Sequence, residues 1–334
     1  MTEAAPDISK PAGLSSHDVC GVLLPITTPF HADGALDLHG LGSNLAKWNE
    51  TDISGYVLLG STGERVHLDE KESLEVIVKG REEVPSGKIF IVGAGQQSTR
   101  GTVDEIKRIA AAVMVDAVLV ITPHFYRPAM TQSTLVDHYL AVADESPVPV
   151  VLYSMPALTG IRIEPETAER LSDHPNIIGI KDSSADTERL QKTAKRVREE
   201  FSVLSGNGTV LCEALKVGAR GGILAVGCVV PDLCLEIFRA VKAGDIELAS
   251  HLQGVLSPLA EAVTTRFGIG GLKVALEMKG YNGGAVRTPL RPPDESGRRE
   301  IRRCLEEAEK GLQEHSTGGD ETPRRYTNEV RVDA

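Results

Sequence analysis

Short apolar runs recur along the chain. Each is closed by small polar residues and followed by a stretch with apolar positions three and four apart. The first is Gly21–Phe30, an apolar run ended by threonine and proline, with Leu38, Leu41, Leu45 and Trp48 behind it at helical spacing. Gly55–Leu59 repeats the beat and runs into Gly60-Ser61-Thr62-Gly63-Glu64, with Leu74, Ile77 and Val78 marking the next helix. Ile89–Val92, Ala117–Ile121 and Val150–Leu152 follow as strands. Helices are expected over roughly Thr102–Ala112, Thr134–Ala143 and Glu164–Leu171. Ile177–Ile180, Val203–Leu204 and Gly222–Val226 complete eight strands, and no hairpin signature separates any two of them. Such an alternation predicts a parallel sheet with crossover helices, and eight repeats close a (β/α)8 TIM barrel. A doubly wound open sheet is the alternative.

Beyond residue 230 the strand pattern stops. Pro231–Ala243, Ile246–Ala262, Gly271–Met278 and Ser296–Gln313 read as helices. The expected organisation is a flexible leader over 1–18, the barrel over 19–230, a C-terminal helical subdomain over 231–315 and a disordered tail over 316–334.

Composition narrows the partners. Of 334 residues 41% are hydrophobic and 25% charged, enough for a sizeable core. The net charge of −11 argues against nucleic acid or an anionic membrane surface as partner. Cys20, Cys212, Cys228, Cys234 and Cys304 form no CxxC pair, and the nine histidines no HExxH, so reduced thiols and no metal are expected. No apolar run is long enough to span a bilayer. Met1–Ser16 lacks a signal-peptide core and is not arginine-rich, which leaves the cytoplasm as the expected compartment.

Candidate chemistry gathers at strand ends. Ile177–Ile180 runs straight into Lys181, and in parallel α/β folds that end of a strand opens into the site. Desolvation penalises an ammonium there and favours a neutral amine able to attack a carbonyl. On this stretch alone the plainer reading is a lysine paired with a neighbouring carboxylate. Small residues at Gly60–Glu64 let backbone N–H groups face the mouth, where they can hold a carboxylate. Tyr153 ends the fifth strand, and a phenol there can relay protons. Gly93-x-Gly95-x-x-Ser98 lacks the third glycine and the downstream acidic residue of a dinucleotide site, so it reads as a tight turn.

The three strand-end motifs taken together, GSTGE, YSMPALTG and IKDSS, resemble the dihydrodipicolinate synthase/N-acetylneuraminate lyase family of pyruvate-dependent class I aldolases. The resemblance spans about residues 19–312 and extends to Gly271-Leu272-Lys273 and Arg287-Thr288-Pro289-Leu290. Within the family, His138-Tyr139 through Ser154 and Thr265–Ile269 look most like 4-hydroxy-2-oxoglutarate aldolase. It implies Lys181 as the Schiff-base lysine, Tyr153 as the proton shuttle, and Ser61 with Thr62 as the pyruvate-carboxylate pair. Ser183 would line the pocket, and the Leu224 carbonyl would face the keto acid. It further implies a covalent imine without any cofactor, pyruvate as the small 2-oxo acid substrate, and a homotetramer built as a dimer of dimers.

Two positions depart from the synthases. Leu158 stands where they usually carry an arginine for the aldehyde's carboxylate, and a leucine cannot pair with one. Phe125 stands where the family supplies a relay tyrosine to a neighbouring subunit, which makes the adjacent Tyr126 a possible relay residue. Arg65, Arg127 and Arg162 lie on mouth loops and are candidate partners for a distal carboxylate. The expected activity is cleavage or formation of a 4-hydroxy-2-oxo acid, with 4-hydroxy-2-oxoglutarate giving pyruvate and glyoxylate as the first choice. Dihydrodipicolinate synthase, a neuraminate-lyase-like sugar-acid aldolase, and an inactive keto-acid-binding barrel are the alternatives.

Overall fold

The computed structural model describes residues 19–318, with side chains to residue 314. The expected leader over 1–18 therefore lies outside the described residues. Eight parallel strands close on one another in chain order. They are β1 Gly21–Pro25, β2 Gly55–Leu58, β3 Ile89–Ala94, β4 Ala117–Ile121, β5 Val150–Ser154, β6 Ile177–Asp182, β7 Ser202–Ser205 and β8 Gly221–Ile223. The predicted TIM barrel is the observed fold.

The helices of the barrel are α1 Leu38–Asn49, α2 Glu70–Glu83, α3 Thr99–Ala112, α4 Gln132–Glu145, α5 Pro156–Thr159, α6 Pro165–Ser172, α7 Thr187–Arg196 and α8 Leu211–Lys216. Polar side chains start several of them. Asp69 and Glu72 form a reciprocal capping box on α2, and Ser98, Thr131 and Asp186 cap α3, α4 and α7. Helices α9 Pro231–Lys242, α10 Ile246–Glu261, α11 Gly268–Met278 and α12 Glu295–Gly318 follow the barrel, with a π-helical turn at Ala262–Arg266 joining α10 to α11.

Two differences from the sequence reading have local causes. Strand β8 stops at Ile223 because the chain turns into a 3-10 segment at Ala225–Cys228, so the expected strand over Gly222–Val226 is half turn. Helix α7 carries few apolar positions at helical spacing and α8 is only six residues long, and the sequence named neither. Helix α12 runs through residues 316–318, which the sequence reading placed in the tail; 319–334 lie outside the described residues.

Side chains alternate across each strand, so they sort into two cores. Leu23, Val57, Ile91, Leu119, Val151 and Leu204 fill the barrel interior. A larger cluster lies between the strands and the helices. Trp48 ties the first repeat to the C-terminal part: its Nε1–H donates to the Cys228 carbonyl at 2.9 Å, and its ring stacks on Tyr281.

One irregularity decides what faces inward. On β5 and β6, Val150 pairs with Ile177 but Val151 pairs with Gly179, so β6 carries one extra residue. Downstream of this bulge Tyr153 stands opposite Lys181. Without it, Tyr153 would face Ile180, whose side chain belongs to the outer core.

Candidate active site

Strands β5 and β6 deliver the two central side chains. Lys181 is buried at the C-terminal end of β6, with its amine 4.5 Å above the centroid of the Tyr153 ring. The next residue, Asp182, accepts the Ser184 N–H at 2.7 Å, and burial pushes its carboxyl above the usual carboxylate range.

The Tyr153 hydroxyl reaches the Ser61 Oγ at 3.3 Å. Ser61 opens a one-turn 3-10 segment, Ser61–Gly63, directly after β2. The first N–H groups of such a turn have no partner within it. Thr62 is buried beside Ser61. Two non-glycine residues in the left-handed region, Leu59 (φ 52°) and Glu64 (φ 53°), bracket the turn. Such conformations cost energy and persist only where surroundings impose them. From the β1 exit, the Thr28 hydroxyl donates to the Gly63 carbonyl at 2.8 Å.

Gly206, just after β7, leaves room beside the amine. A Cβ there would lie 2.0 Å from the Ser183 Oγ and 2.8 Å from the Lys181 Cε. The Ser183 Oγ is itself buried and without a hydrogen-bond partner. Leu224 is buried between β8 and the following turn, where its carbonyl accepts the Gly227 N–H at 3.0 Å and keeps a second lone pair.

The fold thus brings Lys181, Tyr153, Ser61, Thr62 and Ser183 together at one end of the barrel. Tyr126 stands apart: it is 69% exposed and packs edge-on against Phe125. The loop that carries both rings is pinned by Gln97, whose Oε1 accepts the His124 and Phe125 N–H groups at 2.8 Å each. A cavity of about 670 Å³ opens beside Ser61. Ser61, Arg65, Gln97, His124 and Leu158 line it, and neither Lys181 nor Tyr153 does. Arg65 is already engaged there, with Glu105 at 2.5 Å and the Gly95 carbonyl at 2.9 Å. Arg127 packs over Gly160, and Arg162 is exposed.

Sequence reasoning missed three contributors. Gly206 and Gln97 had no motif to mark them, although glycine directly after an apolar strand end hints at close approach. Glu64 was seen as part of the small-residue loop, yet its buried partners come from α11 and the segment after it.

A lysine amine, a phenol, hydroxyls and backbone N–H groups brought together at one barrel end can form and stabilise an imine with a keto acid. Among the described residues, no group of three or more metal-ligating side chains is present, and no helix is long and apolar enough to cross a membrane.

A model of the dihydrodipicolinate synthetase family matches residues 18–308. A 4-hydroxy-tetrahydrodipicolinate synthase of Methanoculleus marisnigri is 34% identical over 288 residues, covering 85% of this chain and 98% of the relative. One from Stenotrophomonas maltophilia is 36% identical over 241 residues, covering 72% and 80%. Among solved structures, the dihydrodipicolinate synthase of Thermotoga maritima superposes with a TM-score of 0.83 at 30% identity, covering 88% of this chain and 99% of that one. A prophage protein of the same family from E. coli K12, solved in complex with pyruvate, gives 0.81 at 27% identity, covering 87% and 99%. The relatives carry the synthase name, so the finer likeness to 4-hydroxy-2-oxoglutarate aldolase is not what they add.

Proposed function

This chain belongs to the dihydrodipicolinate synthetase family and is a carbon–carbon lyase of the aldolase type, and from that premise we propose that Lys181 forms an imine with the C2 carbonyl of pyruvate. The observation that carries the reading is the buried amine over the Tyr153 ring, with the Tyr153 hydroxyl in reach of Ser61.

The lone pair of the Lys181 nitrogen adds to C2 to give a carbinolamine. Loss of its hydroxyl as water leaves the protonated imine. In the cleavage direction the C3–C4 electrons move into this imine, giving an enamine and an aldehyde as the 4-hydroxyl gives up its proton. Protonation at C3 and hydrolysis then release pyruvate and return the amine. Tyr153 carries protons to and from the carbinolamine and the 4-hydroxyl. Ser61 and Thr62 hold the C1 carboxylate through N–H and hydroxyl groups, Ser183 lines the C3 side, and the free lone pair of the Leu224 carbonyl faces the keto acid. Tyr126 is the hydroxyl available on the β4 loop for a neighbouring copy in a homotetramer.

Two acceptors have support. The synthase names of the relatives favour aspartate semialdehyde, joined to pyruvate. Leu158, 62% exposed on the cavity beside Ser61, favours a shorter aldehyde that needs no cation there, namely glyoxylate from 4-hydroxy-2-oxoglutarate. Cyanoborohydride reduction with pyruvate, followed by peptide mass mapping, tests the first step: the adduct belongs on Lys181, and an adduct elsewhere overturns it. Comparing kcat/KM for the two aldehydes then decides the acceptor.

A further inference from the structure

Behind the Ser61–Thr62 turn lies a buried ion pair that joins it to the C-terminal helices. The Glu64 side chain is 1% exposed and that of Lys273, on α11, is 2% exposed; their Oε1 and Nζ lie 2.6 Å apart. The contact is an ion pair by distance, since the Oε1 makes no hydrogen bond of good geometry, and both side chains have further partners. The Glu64 Oε2 accepts the Arg287 N–H at 3.1 Å and lies 3.1 Å from the His67 Nδ1. Lys273 also donates to the Ala285 carbonyl at 2.6 Å, and its amine sits 4.5 Å over the Phe30 ring. Arg287 extends the brace to Glu72, with contacts of 2.6 and 2.5 Å, and to the His67 carbonyl at 2.7 Å.

This arrangement is demanding to build. Two opposite charges have been taken out of water, and one of them belongs to a residue in the left-handed region. A well-packed apolar pair would fill the same volume without the desolvation cost. What an apolar pair would not supply is direction: the carboxylate of Glu64 has one bound orientation, and that orientation fixes the backbone next to Ser61 and Thr62. Glu64 itself donates its N–H to the Ser61 carbonyl at 3.2 Å, so a change in its backbone is passed directly into the turn.

We propose that Glu64 and Lys273 are positioning residues that hold the Ser61–Thr62 turn in the shape required to bind the substrate carboxylate. The inference rests on the assignment of that turn to the pyruvate carboxylate. Neither residue touches substrate in this role; both act through the backbone of the turn.

The test compares pyruvate with methyl pyruvate, which keeps the ketone and removes the charge. Half-saturating concentrations for cyanoborohydride trapping on Lys181 are measured in the wild type, Glu64→Gln, Lys273→Met and the double variant, with thermal melts alongside. The expected result is a rise of tenfold or more for pyruvate in each single variant, with methyl pyruvate unchanged within twofold. The maximal trapping rate should stay within threefold. Equal shifts for both ketones, or no shift for pyruvate, overturn the proposal. If the single variants do not fold, the double variant, which leaves no lone buried charge, decides by the same criterion; its failure to fold assigns the pair to the fold alone and also overturns the proposal. A wild type that traps both ketones equally, or traps neither on Lys181, would instead remove the carboxylate assignment beneath it.

Discussion

Tyr153 and Lys181 face each other across the β5–β6 ladder, with the amine 4.5 Å over the phenol ring, because β6 carries one extra residue three positions upstream of the lysine. The bulge turns Lys181 into the barrel, in the same layer as Tyr153, which already faces inward by alternation with Val151. The Tyr153 ring thus lies under the amine while its hydroxyl reaches Ser61 at 3.3 Å.

Removal of that hydroxyl should therefore damage proton movement more than binding. Tyr153→Phe keeps the ring under the amine and is expected to lower turnover by roughly 10²–10⁴-fold, the usual worth of a positioned acid–base group. The pyruvate concentration that half-saturates trapping should rise far less. Equal turnover in wild type and variant would take Tyr153 out of the relay.

Gly206 is the second lever. A methyl group there would press on the Ser183 Oγ and the Lys181 Cε, both at sub-contact distance. Overpacking of this kind costs about 1–3 kcal/mol, or roughly 5- to 150-fold where it falls on one step. Gly206→Ala is expected to slow imine trapping by that factor. A trapping rate equal to that of the wild type would mean that the lysine works from a different rotamer.

The barrel was legible because each strand is an apolar run closed by polar residues, and eight such runs leave few topologies. Lys181 was legible for the same reason: it interrupts an aliphatic strand at its C-terminal end. Its direction was not. Strict alternation from the inward Ile178 puts Lys181 on the outer face, and a bulge has no sequence mark in Ile177–Asp182. The Glu64–Lys273 pair was invisible for another reason. Its members lie more than two hundred residues apart, and nothing local in a helix such as α11 tells an inward lysine from an outward one. Helix α7 escaped notice because it is short and largely charged, and α8 because six residues are too few to show a period; both owe their stability to the barrel they cover.

His138 gives a stability prediction with a definite sign. It is buried on α4 with its Nδ1 2.9 Å from the Thr99 hydroxyl, and burial lowers its pKa from 6.5 to about 4. The unfolded chain then binds a proton between these values that the folded chain refuses. The contribution is fully present above pH 6.5 and is lost as pH falls toward 4, to an upper limit of about 3 kcal/mol. Asp182, whose carboxyl is raised by burial, acts in the opposite sense, so the test is a difference. His138→Asn should flatten the pH dependence of the urea midpoint between pH 6.5 and 4 relative to wild type. Parallel curves for the two proteins would show that His138 takes up its proton in the folded state.

Leu158 offers the cleanest test of the acceptor. It follows Tyr153 by five residues, is 62% exposed, and shares its cavity with Ser61, so it lines the space through which an acceptor is proposed to approach. An arginine at this point would present a planar fork to a carboxylate. A hydrogen bond to a charged group contributes about 1.5–3 kcal/mol when buried, and exposure reduces an ion pair to about 1 kcal/mol or less, which is roughly fivefold in rate. Leu158→Arg is thus expected to raise kcat/KM for aspartate semialdehyde about fivefold. Glyoxylate, whose carboxylate adjoins the reacting carbon, should gain less, and trapping of pyruvate alone should not change. If both aldehydes respond equally, position 158 senses net charge rather than the length of the acceptor. If neither responds, the acceptor enters from another side, and the leucine carries no information about substrate.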